Sequence, residues 1–359
     1  MFLALKEIKH EKLRYGLIIL MIFLISYLIF MLSSLAVGLA SENTQAIDSW
    51  SAKKIVLNKN SNISLSQSIL TKKDLKDDDI GKNEAYIGQV AVVVKSKNRP
   101  SVSAQFLGIK KDQFIYKDQD LVAGKRGKGK TEITVDSSLR DKGYRLGDKI
   151  SLNGSASLNG SARKYKIVGF VNNAKINIAP IIYGSFATWR KLRMVAPNVA
   201  AAAIVSKNAN YKYNYKDAKT YPIATFINKL PGYTAQNMTF GLMIGFLFVI
   251  SLIIIAVFLY ILTMQKMHNL AVMRAQGIPS KTLVGATVSQ SIILVVVGVI
   301  IALILMWVTA AVLPAAVPMS FTTTIMIAGT LGMLVMGIIG SLIPIRSILK
   351  VDPAKAIGE

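Results

Sequence analysis

The chain has 359 residues, is 52% hydrophobic, and carries 43 Lys and Arg against 19 Asp and Glu, a net charge of +24. Its apolar residues stand in long blocks between Lys-rich stretches, which excludes an ordinary soluble domain. It has no cysteine, so disulfides play no part in its stability.

In residues 1–15, Phe2, Leu5, Ile8 and Leu13 fall on one face, opposite Lys6, Lys9 and Lys12. The pattern predicts an amphipathic helix lying in the membrane interface. Residues 16–40 form a first apolar block, too long for the ~7–15-residue core of a cleaved signal peptide and long enough to span a bilayer. Residues 41–236 are polar, with 33 Lys and Arg against 15 Asp and Glu. Within them, alternating runs predict strands at Ala85–Val94, Thr131–Val135, Tyr165–Val171, Ile181–Tyr183 and Ala201–Val205. Helical patches are predicted at Leu65–Leu70, Asp136–Lys142 and Phe186–Val195. This reads as one mixed α/β domain, with a smaller lobe near 80–125 and a loop or hairpin at Asn153–Ser161.

A second span is predicted at 237–263. It opens with Gly241 and Gly245, a G-x-x-x-G pair that lets another helix approach closely in lipid. A loop at 264–282 follows, with a short helix over Leu270–Gly277 and a new helix starting at Ser280. Spans three and four fall at 283–312 and 321–345, the last rich in glycine at Gly329, Gly332, Gly337 and Gly340. Residues 346–359 form a tail. The spans contain no Asp, Glu, Lys, Arg or His, which argues against an ion-driven pathway.

Orientation follows from the short flanks. Lys6, Lys9, Lys12 and Arg14, then Lys266, Arg274 and Lys281, then Arg346, Lys350 and Lys355 mark one side as cytoplasmic. Both termini and the 264–282 loop therefore belong inside, and 41–236 outside. There the basic surface faces lipid head groups and wall polymers, not nucleic acid.

Gly124–Thr131, "GKRGKGKT", fits the P-loop pattern letter for letter. A P-loop needs a helix N-terminus behind it to hold phosphate, whereas a strand-like run follows here, on the side without cytosolic ATP. The segment is expected to be a solvated basic hairpin tip, and the chain to have no ATPase site of its own.

The loop "LAVMRAQGIPSKTL", with Leu270, Arg274, Ala275, Gly277 and Leu283, and a tail with Pro344, Pro353 and Ala356, resemble the permeases of the MacB/FtsX class of ABC transporters. The loop departs from the usual pattern at Ala271-Val272, where an acidic residue is usual, and span three at Gln290, where Glu is common. The opening "MFLALKEIKHEKLRYGLIILMIFLISYLIF", "GLASENTQAIDSW" and "LPGYTAQNMTF" most resemble the haem-efflux permeases of Gram-positive bacteria, the HrtB type. The resemblance implies a cell-membrane homodimer with two cytosolic ATPase subunits that bind the ATP. It also implies haem as a transported substrate, no permanently bound cofactor, and Leu270, Arg274, Ala275 and Gly277 as the ATPase coupling surface. Within the class, export of antimicrobial peptides or lipids and mechanical control of wall hydrolases are the alternatives.

Haem iron takes His, Cys, Met or Tyr, and chemically a carboxylate. The two histidines, His10 and His268, both belong to the cytoplasmic side, so a ligand from the outer half must be Tyr, Met or Glu. Tyr27 and Met31 share one face of span one, with Glu42 just above. Tyr233, Met238 and Met243 stand at matching height on span two. These six residues form the expected haem cleft.

Overall fold

The structure, a computed structural model, describes residues 11–75, 80–96, 99–154, 164–314 and 317–349. Most of the expected interfacial helix, the tail beyond 349 and most of Asn153–Ser161 lie outside the described residues. Two compact units are present, Met1–Gly38 with Asn237–Glu359, and Leu39–Gln236.

The first unit is helical. Helices α1 (Lys12–Ser49), α6 (Tyr233–Gln265), α8 (Ser280–Val312) and α9 (Thr323–Leu349) are each long and apolar enough to cross a membrane. Helix α1 runs 38 residues, about 57 Å at 1.5 Å per residue, well beyond a ~30 Å hydrocarbon core. It starts before the expected boundary at Gly16 and continues past Ala40. Nothing between Ser41 and Ser49 breaks a helix, and Ala46 and Ile47 are fully buried in the core of the second unit.

In lipid the apolar effect does not favour helix association, so shape has to do it. The glycines of α9 provide that shape. A Cβ on Gly329 would stand 2.6 Å from Phe30, one on Gly332 2.6 Å from Phe248, and one on Gly337 2.7 Å from Val295. On α8, Gly298 admits Ile22 of α1 in the same way, at 2.7 Å. Ser291 donates to the Gly337 carbonyl across the α8–α9 contact at 2.8 Å. Pro344 lies inside α9. The helix therefore runs on past the expected end of the span at Ile345, with Pro344 unable to donate to the Gly340 carbonyl.

The second unit is built on an eleven-stranded sheet. Its strands are β1 (Lys54–Asn58), β3 (Glu84–Ser96), β4 (Arg99–Ile109), β5 (Leu121–Gly124), β6 (Glu132–Asp136), β7 (Lys149–Gly154), β8 (Lys164–Val171), β9 (Lys175–Ile176), β10 (Ala179–Ser185), β12 (Ala203–Ser206) and β13 (Ala218–Pro222). A separate ribbon pairs β2 (Leu70–Thr71) with β11 (Val199–Ala201). Strand β7 pairs with both β3 and β8, so β3, β4, β10, β6, β8 and β7 close into a ring. The long β3 then carries β12, β1 and β13 as an arm from its N-terminal half. Helix α4 (Phe186–Arg193) drives Trp189, fully buried, against Gly88 and Gly108, and the indole donates to the Gln89 carbonyl at 3.0 Å. Helices α2 (Phe114–Lys117), α3 (Ser138–Asp141) and α5 (Ile223–Asn228) are single turns or little more.

Three expectations for this unit are corrected. Strands β3 and β4 belong to the common sheet, so there is no separate lobe near 80–125. The expected helix at Leu65–Leu70 is absent: the stretch is irregular up to Ile69, and Leu70 opens β2. The Ser68 hydroxyl donates to the Ala202 carbonyl at 2.6 Å and accepts from the Asn58 amide, and Asn62 and Ile63 adopt positive φ. Side-chain hydroxyls here compete with the helical ladder. The segment after Gly124 is not a hairpin tip, because β5 and β6 flank β8 on opposite sides instead of pairing with each other.

Candidate functional site

The loop between the second and third spans folds into helix α7 (Met267–Ala275). Its end is a Schellman motif. Gly277, at φ +88°, donates to the Arg274 carbonyl at 3.0 Å, and Ile278 donates to the Met273 carbonyl at 3.1 Å. A side chain at Gly277 meets open space but not an allowed backbone, so the residue is glycine for its φ. Ala271 is buried, Leu270 and Arg274 are half-buried, and Ala275 and Gly277 are exposed. A neutral residue at 271 suits this geometry, since a carboxylate there would be buried against the helices.

Beneath α7 lies a polar cluster. Tyr15, at the start of α1 and 1% exposed, accepts from Lys266 Nζ at 2.9 Å and from Gln290 Nε2. The Lys266 ammonium also stands 5.3 Å from the Tyr15 ring centroid, within reach of a cation–π interaction. Alongside, Arg14 donates to Gln265 at 2.8 Å. Sequence reasoning singled out Gln290 as a departure but missed Tyr15 and Lys266. The one available signal was a phenol at the edge of an apolar block.

The six candidate haem residues fall into different settings. Tyr27 and Met31 pack against the helical core, and the Tyr27 hydroxyl is 2.9 Å from that of Thr309 on α8. Met238 and Met243 lie exposed on α6 at 65% and 43%, beside Gly241 and Gly245, whose added Cβ atoms would meet nothing within 4 Å. In the second unit, Glu42 is ion-paired with Lys175, both largely buried. Tyr233 packs against that unit's own core.

The P-loop match resolves as a structure of another kind. The backbone amides of Lys128 and Gly129 point at a carboxylate, but it is that of Glu132, which accepts at 2.8 and 3.0 Å. Those two donors hold the Glu132 carboxyl below its ordinary titration range. The seat that would cradle a phosphate is filled by the chain itself, and strand β6 follows in place of a helix.

The FtsX-like permease C-terminal family matches residues 241–353. A Staphylococcus haemolyticus protein named hemin transport system permease protein HrtB is 28% identical over 367 residues, covering all of this chain and 99% of that protein. Its namesake from Staphylococcus epidermidis strain ATCC 12228 is 26% identical over 360 residues, with the same coverage. An uncharacterized ABC transporter permease of Mycobacterium tuberculosis is 23% identical over 63% of this chain and 61% of its own length. Among solved structures, the extracellular domain of the transporter YknZ covers 47% of this chain and 99% of its own, at 14% identity and a TM-score of 0.34. The periplasmic region of MacB from Actinobacillus actinomycetemcomitans covers 48% and 90%, at 12% identity and a TM-score of 0.35. The last three spans fall largely in the stretch that matches the FtsX-like permease C-terminal family, and over its whole length the chain is similar to proteins named as hemin transport permeases.

Proposed function

We propose that this chain is the permease subunit of an ATP-driven pump that exports haem from the membrane of a Gram-positive bacterium. The observation that carries the reading is end-to-end similarity to relatives named as hemin transport permeases. The chain's own chemistry supports it. Haem is a flat apolar ring with two carboxylates, so it partitions into a bilayer and can reach the protein sideways. The exposed apolar face of α6 around Gly241 and Gly245 suits close approach by a second copy of the chain, giving a homodimer with a cleft facing lipid.

Of the six candidate ligands, Met238 and Met243 have the most accessible donor atoms. The Tyr27 hydroxyl and the Glu42 carboxylate are already engaged, by Thr309 and Lys175 respectively, and would meet iron only on giving up those bonds. Energy comes from two cytosolic ATPase subunits that dock on α7 through Leu270, Arg274, Ala275 and Gly277. Both termini and α7 are cytoplasmic in this scheme, and the α/β domain is outside.

Two measurements test it. Protein purified with its ATPase from haem-fed cells should show a Soret absorbance, weakened by Met238→Ala or Met243→Ala. Absence of haem binding and of ATP-dependent haem efflux would overturn the assignment in favour of peptide or lipid export. For the orientation, Ser66→Cys should react with impermeant thiol reagents on intact cells and Gln276→Cys should not; the reverse would invert the topology.

A further inference from the structure

We propose that Tyr15 is the joint through which movement of α7 reaches the first and third spans. The inference rests on the reading of α7 as the ATPase docking helix. Lys266 is the residue just before α7, and its side chain makes no capping bond to that helix. Its ammonium instead donates to the Tyr15 hydroxyl of α1, and the Gln290 amide of α8 donates to the same oxygen.

A phenolic oxygen in this position has room for two such donors, and both places are taken. Tyr15 is 1% and Gln290 8% exposed, and Lys266 is half-buried beside them, so the shared oxygen lies where little water reaches. Pulling Lys266 away would leave a charged donor without this acceptor, in surroundings where that is expensive. The connection therefore holds or switches as a unit and does not stretch.

The packing around it leaves part of the load to this joint. A cavity of about 30 Å³ lies between α7 and α8, lined by Leu270, Leu283 and Thr287 among others. The void leaves a local gap beside Lys266 and Gln290, which line it too, so the polar contact supplements the packing of Ala271 and Leu283 there. Arg14, bonded to Gln265 immediately before Lys266, adds a second tie between the same ends of α1 and α6. Tyr15 is in this sense a positioning residue that never needs to touch cargo or nucleotide.

The test uses the complex with its ATPase in nanodiscs. Tyr15→Phe should leave ATP hydrolysis within about twofold of wild type and cut haem exported per ATP roughly tenfold, the scale on which coupling residues act. Lys266→Met should do the same, and the double variant should be no worse than either single one. A haem-free readout separates the joint from the cargo. In wild type, trapping with ATP and orthovanadate should change hydrogen exchange both in α7 and in 12–20; in Tyr15→Phe only α7 should respond. Normal export per ATP by both single variants, or an undiminished response of 12–20, would overturn the proposal. If wild type moves no haem but 12–20 responds and Tyr15→Phe abolishes it, the cargo reading fails and the joint stands.

Discussion

Gly298→Val tests whether shape holds the helical unit together. Its Cβ would sit 2.7 Å from Ile22 Cγ2, 3.0 Å from Ile22 Cβ and 3.2 Å from the Phe23 amide nitrogen. Carbon atoms in good contact are about 3.5–4.0 Å apart, so the site is short by roughly an ångström, with backbone behind the side chain. Ile22 is 1% exposed and has nowhere to swing. Helices α1 and α8 must part, at about 2–3 kcal/mol, the upper part of the range for overpacking; valine regains only a few tenths through helix propensity. Ile22→Ala alone should cost about 2 kcal/mol through lost contacts. Combined, the changes exchange one bulge for another, so the double variant should be about 2 kcal/mol more stable than the sum of the singles. Reversible unfolding in mixed micelles measures all four corners of the cycle. Additivity within about 0.5 kcal/mol, the mark of independent sites, would refute the contact.

Gly277→Ala should cost about 1–2 kcal/mol at the end of α7, the strain of a left-handed alanine, seen as faster hydrogen exchange at Gly277 and Ile278; unchanged protection would remove the Schellman cap from the account. Lys130→Ala and Thr131→Ala should leave ATP turnover of the assembled complex unaltered, and a loss on the scale of an ATPase-subunit knockout would restore the P-loop. The Glu132 carboxyl has a lowered folded pKa, so its hold on the Lys128 and Gly129 amides is complete above the ordinary range near about 4.3 and is lost as pH falls through the lower folded value. Proteolysis of 125–131 should therefore accelerate in that acid window, and Glu132→Ala should accelerate it at neutral pH; a flat profile for wild type would count against the carboxylate seat.

What could be read directly was whatever has a local period. Apolar blocks marked the four helices, and alternation marked β3, β6, β8 and β10. Gly277 with Pro279 marked the end of α7. Strand β4 was missed because Pro100 and its serines dilute the alternation of Val102, Ala104 and Phe106. Strand β1 carries only "KIVLN", and its two partners lie more than a hundred residues away. Ring closure depends on β7 meeting both β3 and β8, a fact of tertiary geometry with no local trace. The candidate site divided in the same way. The loop motif was visible as a pattern, but the convergence of Tyr15, Lys266 and Gln290 joins residues 251 and 275 positions apart. The engagement of Glu42 by Lys175 was equally invisible, because a carboxylate near a span is read as available until its partner is seen.

The arm of the sheet has a consequence for synthesis. Strand β1 is the first strand made, yet both its neighbours come late, as Lys54 pairs with Ser206 on one side and Pro222 on the other. At a synthesis rate of roughly 5–20 residues per second, about 150 residues take on the order of ten seconds. For that interval a short apolar strand waits with two open edges. Lys53, Lys54 and Lys59 bracket it at both ends, the placement by which charge discourages strand-to-strand aggregation. These lysines guard the delay, and the pairing of Lys54 with Pro222 makes completion of the domain coincide with delivery of the chain's second span to the membrane.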